Sequence, residues 1–95
     1  MKPTPGGICW QTDPGHGWLQ IPKETFKELK INPVEVSGCS YHNSAYVFLE
    51  EDCDAELAIN AFRAAGVTDD ALRRIPTYYL ENTFVRRCKH WEGVL

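Results

Sequence analysis

The chain has 95 residues, of which 43% are apolar and 24% charged, and a formal net charge of −3. That is the size and make-up of one ordinary globular domain. No apolar run approaches the ~20 residues needed to span a bilayer, and the balance lacks the basic surplus of a nucleic-acid binder. Charge is unevenly spread: residues 1–60 carry four Lys and nine Asp/Glu, and residues 61–95 carry six Lys/Arg and four Asp/Glu.

Residues 1–7, MKPTPGG, read as a flexible N-terminus ahead of a single domain over 8–95. The start lacks the apolar stretch of a secretory leader, so the expected location is the cytoplasm. Residues 8–12 (ICWQT) have strand composition. Asp13-Pro14-Gly15 is turn chemistry, in which Asp bonds nearby backbone, Pro presets φ and Gly supplies a positive φ. Residues 16–21 (HGWLQI) read as the returning strand of a hairpin.

Pro22 suits a helix start, and residues 23–30 place Phe26 and Leu29 on one helical face before Asn32-Pro33 ends it. A short extended stretch is expected at 34–36, and a further strand at 39–41. After the Asn43-Ser44 turn signal, residues 45–49 (AYVFL) are apolar throughout and predict a central strand. The period then changes. Leu57, Ala58, Ala61, Phe62 and Ala65 form one stripe, which predicts a helix over 53–65 with Gly66 just past its end. Asp54, Glu56, Asn60 and Arg63 are expected to face outward. Asp52 is positioned to cap the helix, and Asp54 and Glu56 to complement its dipole. This leaves Glu50 and Glu51 without a structural task.

Thr68 begins a short helix over 69–74 that Pro76 ends. Residues 77–80 (TYYL) have strand composition, whereas Leu80, Phe84, Cys88 and Trp91 are spaced like one helical face. The expectation is an extended segment followed by a helix over 82–92. The fold class is therefore α+β: a small, mainly antiparallel sheet packed by two to four helices.

Several residue groupings bear on chemistry. Cys9, Cys39, Cys53 and Cys88 contain no C-x-x-C pair and read as buried free thiols. Cys39 and His42 (C-x-x-H) with Cys88 and His90 (C-x-H) make a four-ligand zinc set on paper, and Cys39/His42 a nucleophilic pair. The run Glu50, Glu51, Asp52, Asp54 has no Gly of the kind a calcium loop uses. His16 lies between two glycines, open to approach, and pairs on paper with the acids as a proton shuttle. The chain contains no nucleotide-binding loop, nucleophile elbow or metalloprotease motif. No cofactor and no bound metal are expected.

Two of these segments, DPGHGWL at 13–19 and LEEDCD at 49–54, resemble in order and spacing a family of small uncharacterised proteins of bacteriophages, prophages and plasmids. In that family the first motif precedes a short helix, a serine/tyrosine strand, and then Y-L-E-E-D-C-D running into a helix. The corresponding pieces here are 13–19, 22–30, Ser40-Tyr41 and 46–54, so the resemblance extends over 13–66. Lys30 stands where family members often carry glycine, and residues 67–95 match nothing in the family. The resemblance implies a mobile-element accessory protein and supplies no catalytic residues.

The expected function is thus a non-enzymatic accessory protein that binds a host protein, for instance inhibiting a defence complex such as a CRISPR effector. The expected interface is His16, Trp18, Tyr41, Glu50, Glu51, Asp52, Asp54, Arg86 and Arg87, with no membrane or nucleic-acid partner. A cleft holding His16 beside Glu50 or Glu51 would instead favour a small enzyme or ligand binder built on His16 and the acids from Glu50 to Asp54. A nucleic-acid-binding regulator would require Arg73, Arg74, Arg86, Arg87 and Lys89 to form one face.

Overall fold

Side chains alternate along the two longest strands, and that alternation divides the molecule into two apolar layers. The computed structural model describes residues 7–93. Its strands are β1 (Cys9–Thr12), β2 (Gly17–Pro22), β3 (Tyr41–His42), β4 (Tyr46–Glu50), β5 (Thr77–Tyr79) and β6 (Lys89–His90). Its helices are α1 (Lys23–Glu28), α2 (Ala55–Ala64) and α3 (Asp69–Arg73), with 3-10 turns at Pro33–Glu35 and Phe84–Arg87. The strands make one sheet in the order β5-β1-β2-β4-β3-β6. Only the β1–β5 pairing is parallel. This is the expected α+β domain with a mainly antiparallel sheet, and β4 lies inside it as predicted.

Leu19, Ile21, Val47 and Leu49 point to one face of the sheet, where Phe26 of α1 and Ala58 and Phe62 of α2 cover them. Burying each of the large side chains contributes about 1.5–3 kcal/mol. Trp18, Phe48 and Tyr41 point to the other face and pack with Val85 from the second 3-10 turn. Trp18 is the register partner of Glu50. A buried carboxylate is thereby set beside an indole at the end of this second layer.

The turns follow from Asx chemistry. Asp13 Oδ1 accepts from the amides of Gly15 (2.9 Å) and His16 (2.8 Å). Asn43 Oδ1 does the same for Ala45 (2.9 Å) and Tyr46 (2.8 Å). Gly15 does not take the positive φ expected of it; among the described glycines only Gly66 and Gly93 do. Gly66, at φ 93°, closes α2 as predicted. Lys30 follows α1 with φ 58°, a left-handed conformation where glycine is preferred.

Other expectations are corrected. α2 starts at Ala55 rather than residue 53, because a turn over 51–54 intervenes. Asp54 does not face outward; it is 3% exposed. Residues 33–35 form a 3-10 turn, not an extended stretch, because the Asn32 side chain accepts from the Val34 amide and Pro33 presets the turn. The helix expected over 82–92 is replaced by the second 3-10 turn, capped by Thr83, and by β6. The spacing of Phe84, Cys88 and Trp91 mimicked a helix, but Phe84 and Cys88 join the Trp18 layer while Trp91 joins the helix-covered layer. Backbone partners on β3 draw this segment straight: Tyr41 pairs with His90, and the Trp91 amide donates to Ser40 O at 2.8 Å.

Of the four thiols expected to be buried, only Cys9 is; Cys39 and Cys53 are exposed and Cys88 is half-buried. The flexible segment expected at 1–7 lies outside the described residues except for Gly7, which is buried. No helix of the described residues is long and apolar enough to cross a membrane.

Candidate functional site

The β1–β2 turn and the β4–α2 turn lie at the same end of the sheet, so the two motifs meet. The Glu51 amide donates to Gly17 O at 2.9 Å, stitching one motif to the other. A Cβ on Gly17 would lie 2.9 Å from Glu51 Oε2, and one on Gly15 3.3 Å from the Arg86 guanidinium. The glycines around His16 therefore serve close approach rather than unusual backbone geometry.

Glu50 organises the junction. Its side chain is 5% exposed, and Oε2 lies 3.0 Å from His16 Nδ1. Oε1 accepts from the amides of Asp52 (2.6 Å) and Cys53 (3.0 Å). The buried charge thus has three partners, which a carboxylate removed from water requires. The same bonds create the turn that delays α2. Asp52 does not cap the helix; its own amide is held by Glu50. Asp54 turns inward and accepts from the Ser37 amide (3.0 Å), Ser37 Oγ (2.7 Å) and Ser40 Oγ (2.5 Å). It pins the loop that carries Cys39 against the turn that carries Cys53.

A second buried carboxylate, Asp13, positions the opposite wall. Its side chain is 4% exposed and pairs through both oxygens with Arg86 of the second 3-10 turn. The Arg86 hydrogen bond, reinforced by the turn amides, holds the Asp13 carboxyl well below the usual carboxylate range. The guanidinium lies over the Trp18 ring, 5.1 Å from its centroid. Most of its charge is answered by Asp13.

Between these walls is a pocket of about 270 Å³. Trp18, Tyr41 and His90 supply aromatic surface, with the Tyr41 and His90 rings 4.4 Å apart. His16, Glu50, Asp52 and Arg86 supply polar groups, and Cys39 and Cys53 line one side. The Cys39 thiol hydrogen-bonded beside Cys53, with some loss of hydration and the nearby Cys39 and Glu50 groups, pushes the Cys53 thiol up to about 11. The raised value disfavours the Cys53 thiolate near pH 7.

Six of the nine residues expected at a binding surface, His16, Trp18, Tyr41, Glu50, Asp52 and Arg86, line this pocket. Glu51 is not among the lining residues but lies exposed beside Gly17, and Asp54 lies buried beneath the 37–40 loop. Arg87 lines a different hollow with Lys23, His42 and Cys88. The paper zinc set is split in the same way: Cys39 and His90 face one pocket, His42 and Cys88 the other. The Cys39/His42 pair is not assembled for the same reason. Arg73 and Arg74 pair with Asp70 on α3, which leads to β5 at one sheet edge. Arg87 and Lys89 belong to the opposite edge, at β6, so the basic residues do not form one face.

Sequence reasoning missed Asp13 as part of the site. Its turn chemistry was legible, but its ion partner lies 73 residues away. Fold and pocket define a single-domain α+β protein with an aromatic-walled pocket of imidazole and carboxylate groups. No family model matches the chain, and no curated protein or solved structure shows significant similarity to it.

Proposed function

We propose that the chain works through this pocket, binding a small polar molecule and exchanging a proton with it through His16. The observation that carries the reading is the buried Glu50 carboxylate 3.0 Å from His16 Nδ1, in a cleft and anchored to two backbone amides. A carboxylate on one imidazole nitrogen fixes the tautomer and leaves the other nitrogen to accept or donate a proton. Trp18 and Tyr41 offer apolar surface, and Arg86 a donor, as small-ligand sites usually combine them. The cleft with His16 beside Glu50 is the feature that separates this reading from a surface of carboxylates turned to solvent. An NMR screen with small carboxylates, phosphates and nucleosides tests it. Binders should shift Trp18 and His16 resonances and be lost in His16→Ala. A screen whose only binders lie away from the pocket would count against it.

A second reading, a phage or plasmid accessory protein that binds a host defence complex, draws on a different surface. Tyr78 and Tyr79 of the edge strand β5, and Leu80 just after it, are 52%, 58% and 51% exposed, and exposed aromatics at a sheet edge are interface material. Pull-down from host lysate should recover a stoichiometric partner that Tyr78→Lys with Leu80→Glu releases. Recovery of none across several hosts would remove this reading.

A further inference from the structure

We propose that His16, Glu50 and Asp52 bind a divalent first-row transition cation, a site that rests on the pocket reading above and names what the pocket holds. One nitrogen of His16 and one oxygen each of Glu50 and Asp52 lie within 4.8 Å of one another, a grouping of metal-ligating side chains found nowhere else among the described residues. Ligands about 2.0–2.2 Å from such a cation stand roughly 3.0–3.5 Å apart. His16 Nδ1 and Glu50 Oε2 are already 3.0 Å apart. The cation takes the place of the proton between them. That proton leaves Nδ1 as the ring takes up a proton at Nε2, so no net proton is released; in the metal-loaded chain Nε2–H faces the pocket as a donor, and two-way proton exchange belongs to the metal-free chain.

Asp52 completes the set. Its side chain is exposed and makes no hydrogen bond among the described residues, so it swings in without breaking structure. Glu50 is held from behind, its other oxygen bonded to the amides of Asp52 and Cys53. Outer bonds of this kind orient metal-ligating carboxylates. Charge favours a cation: Glu50 and Asp52 line the pocket, and Arg86, the one Lys or Arg among its lining residues, is paired with Asp13. An imidazole donor suits zinc, iron, cobalt or nickel better than calcium or magnesium. Three protein ligands beside a cavity of about 270 Å³ leave coordination positions for water or a bound molecule, the pattern of working rather than structural sites.

The test uses the full chain stripped of metal by a chelator and titrated with zinc, by calorimetry and by nitrogen–proton NMR of the imidazoles. One zinc per chain should bind, with His16 passing from the Nδ1–H to the Nε2–H form. His16→Ala and Asp52→Asn should each weaken binding at least about tenfold. Asp52→Asn should leave metal-free melting unchanged, which guards against misreading a folding defect. The double variant Cys39→Ser with Cys53→Ser should retain the site. Absence of binding at millimolar zinc, or a loss that follows the cysteines rather than His16 and Asp52, overturns the proposal. Fragment binding to the metal-free protein keeps the two readings apart: zinc failing while fragments still reach Trp18 removes the cation alone.

Discussion

Asp13 and Lys30 show how differently single residues are exposed in the text of a sequence. The DPG turn announced that Asp13 would bond nearby amides, and it does. Its pairing with Arg86 followed from tertiary packing and left no local mark. Because the folded carboxyl is held below its unfolded value of about 3.9, its contribution is complete above about pH 4 and is lost as pH falls further. Melting curves of the wild type should therefore decline below that pH more steeply than those of Asp13→Asn. Parallel curves would mean that the Arg86 pair contributes nothing. Lys30 pays a conformational penalty that glycine would not. Lys30→Gly should raise stability by about 1 kcal/mol in urea unfolding, and a loss of stability would show that the left-handed conformation is not strained. Glycine adopts φ 58° without the Cβ clash that lysine carries there.

At the scale of elements, strands were read well where a local signal marked them: a turn ahead of β2 and an unbroken apolar run in β4. They were read poorly where partners come from afar. The tail over 82–92 looked helical because its apolar residues recur at helical spacing, yet those residues serve opposite faces of the sheet. The acidic run was read as a helix start, and that was half right. Its acids separate by role: Glu50 builds the turn and holds His16, Asp54 ties down the 37–40 loop, and only Glu56 remains as a first-turn acid on α2. Asp54→Ala leaves the hydroxyls of Ser37 and Ser40 and an amide without their acceptor. It should cost about 2–3 kcal/mol in urea unfolding and make Cys39 faster to alkylate. A cost below about 0.5 kcal/mol, the range of ordinary surface substitutions, would mean the loop is held by something else.

For the molecule as a whole, the sheet brings together what the chain keeps apart. The strand order sets β2 beside β4, and that single pairing carries DPGHGWL onto LEEDCD and buries Glu50 against His16. Composition, hydrophobic period and turn chemistry made the α+β class legible. The pocket was legible in most of its residues but not in their assembly, because a pocket depends on register between strands and on ion pairs that close over long loops. The claim most in need of test is that Glu50 holds His16 in one tautomer with Nε2 open to the pocket. Nitrogen–proton NMR of the neutral His16 ring in metal-free protein reads this directly. Wild-type protein should show the Nδ1–H tautomer, and Glu50→Gln, whose amide oxygen still serves the turn, should lose it. An Nε2–H ring in the wild type, or a spectrum indifferent to Glu50→Gln, would contradict it.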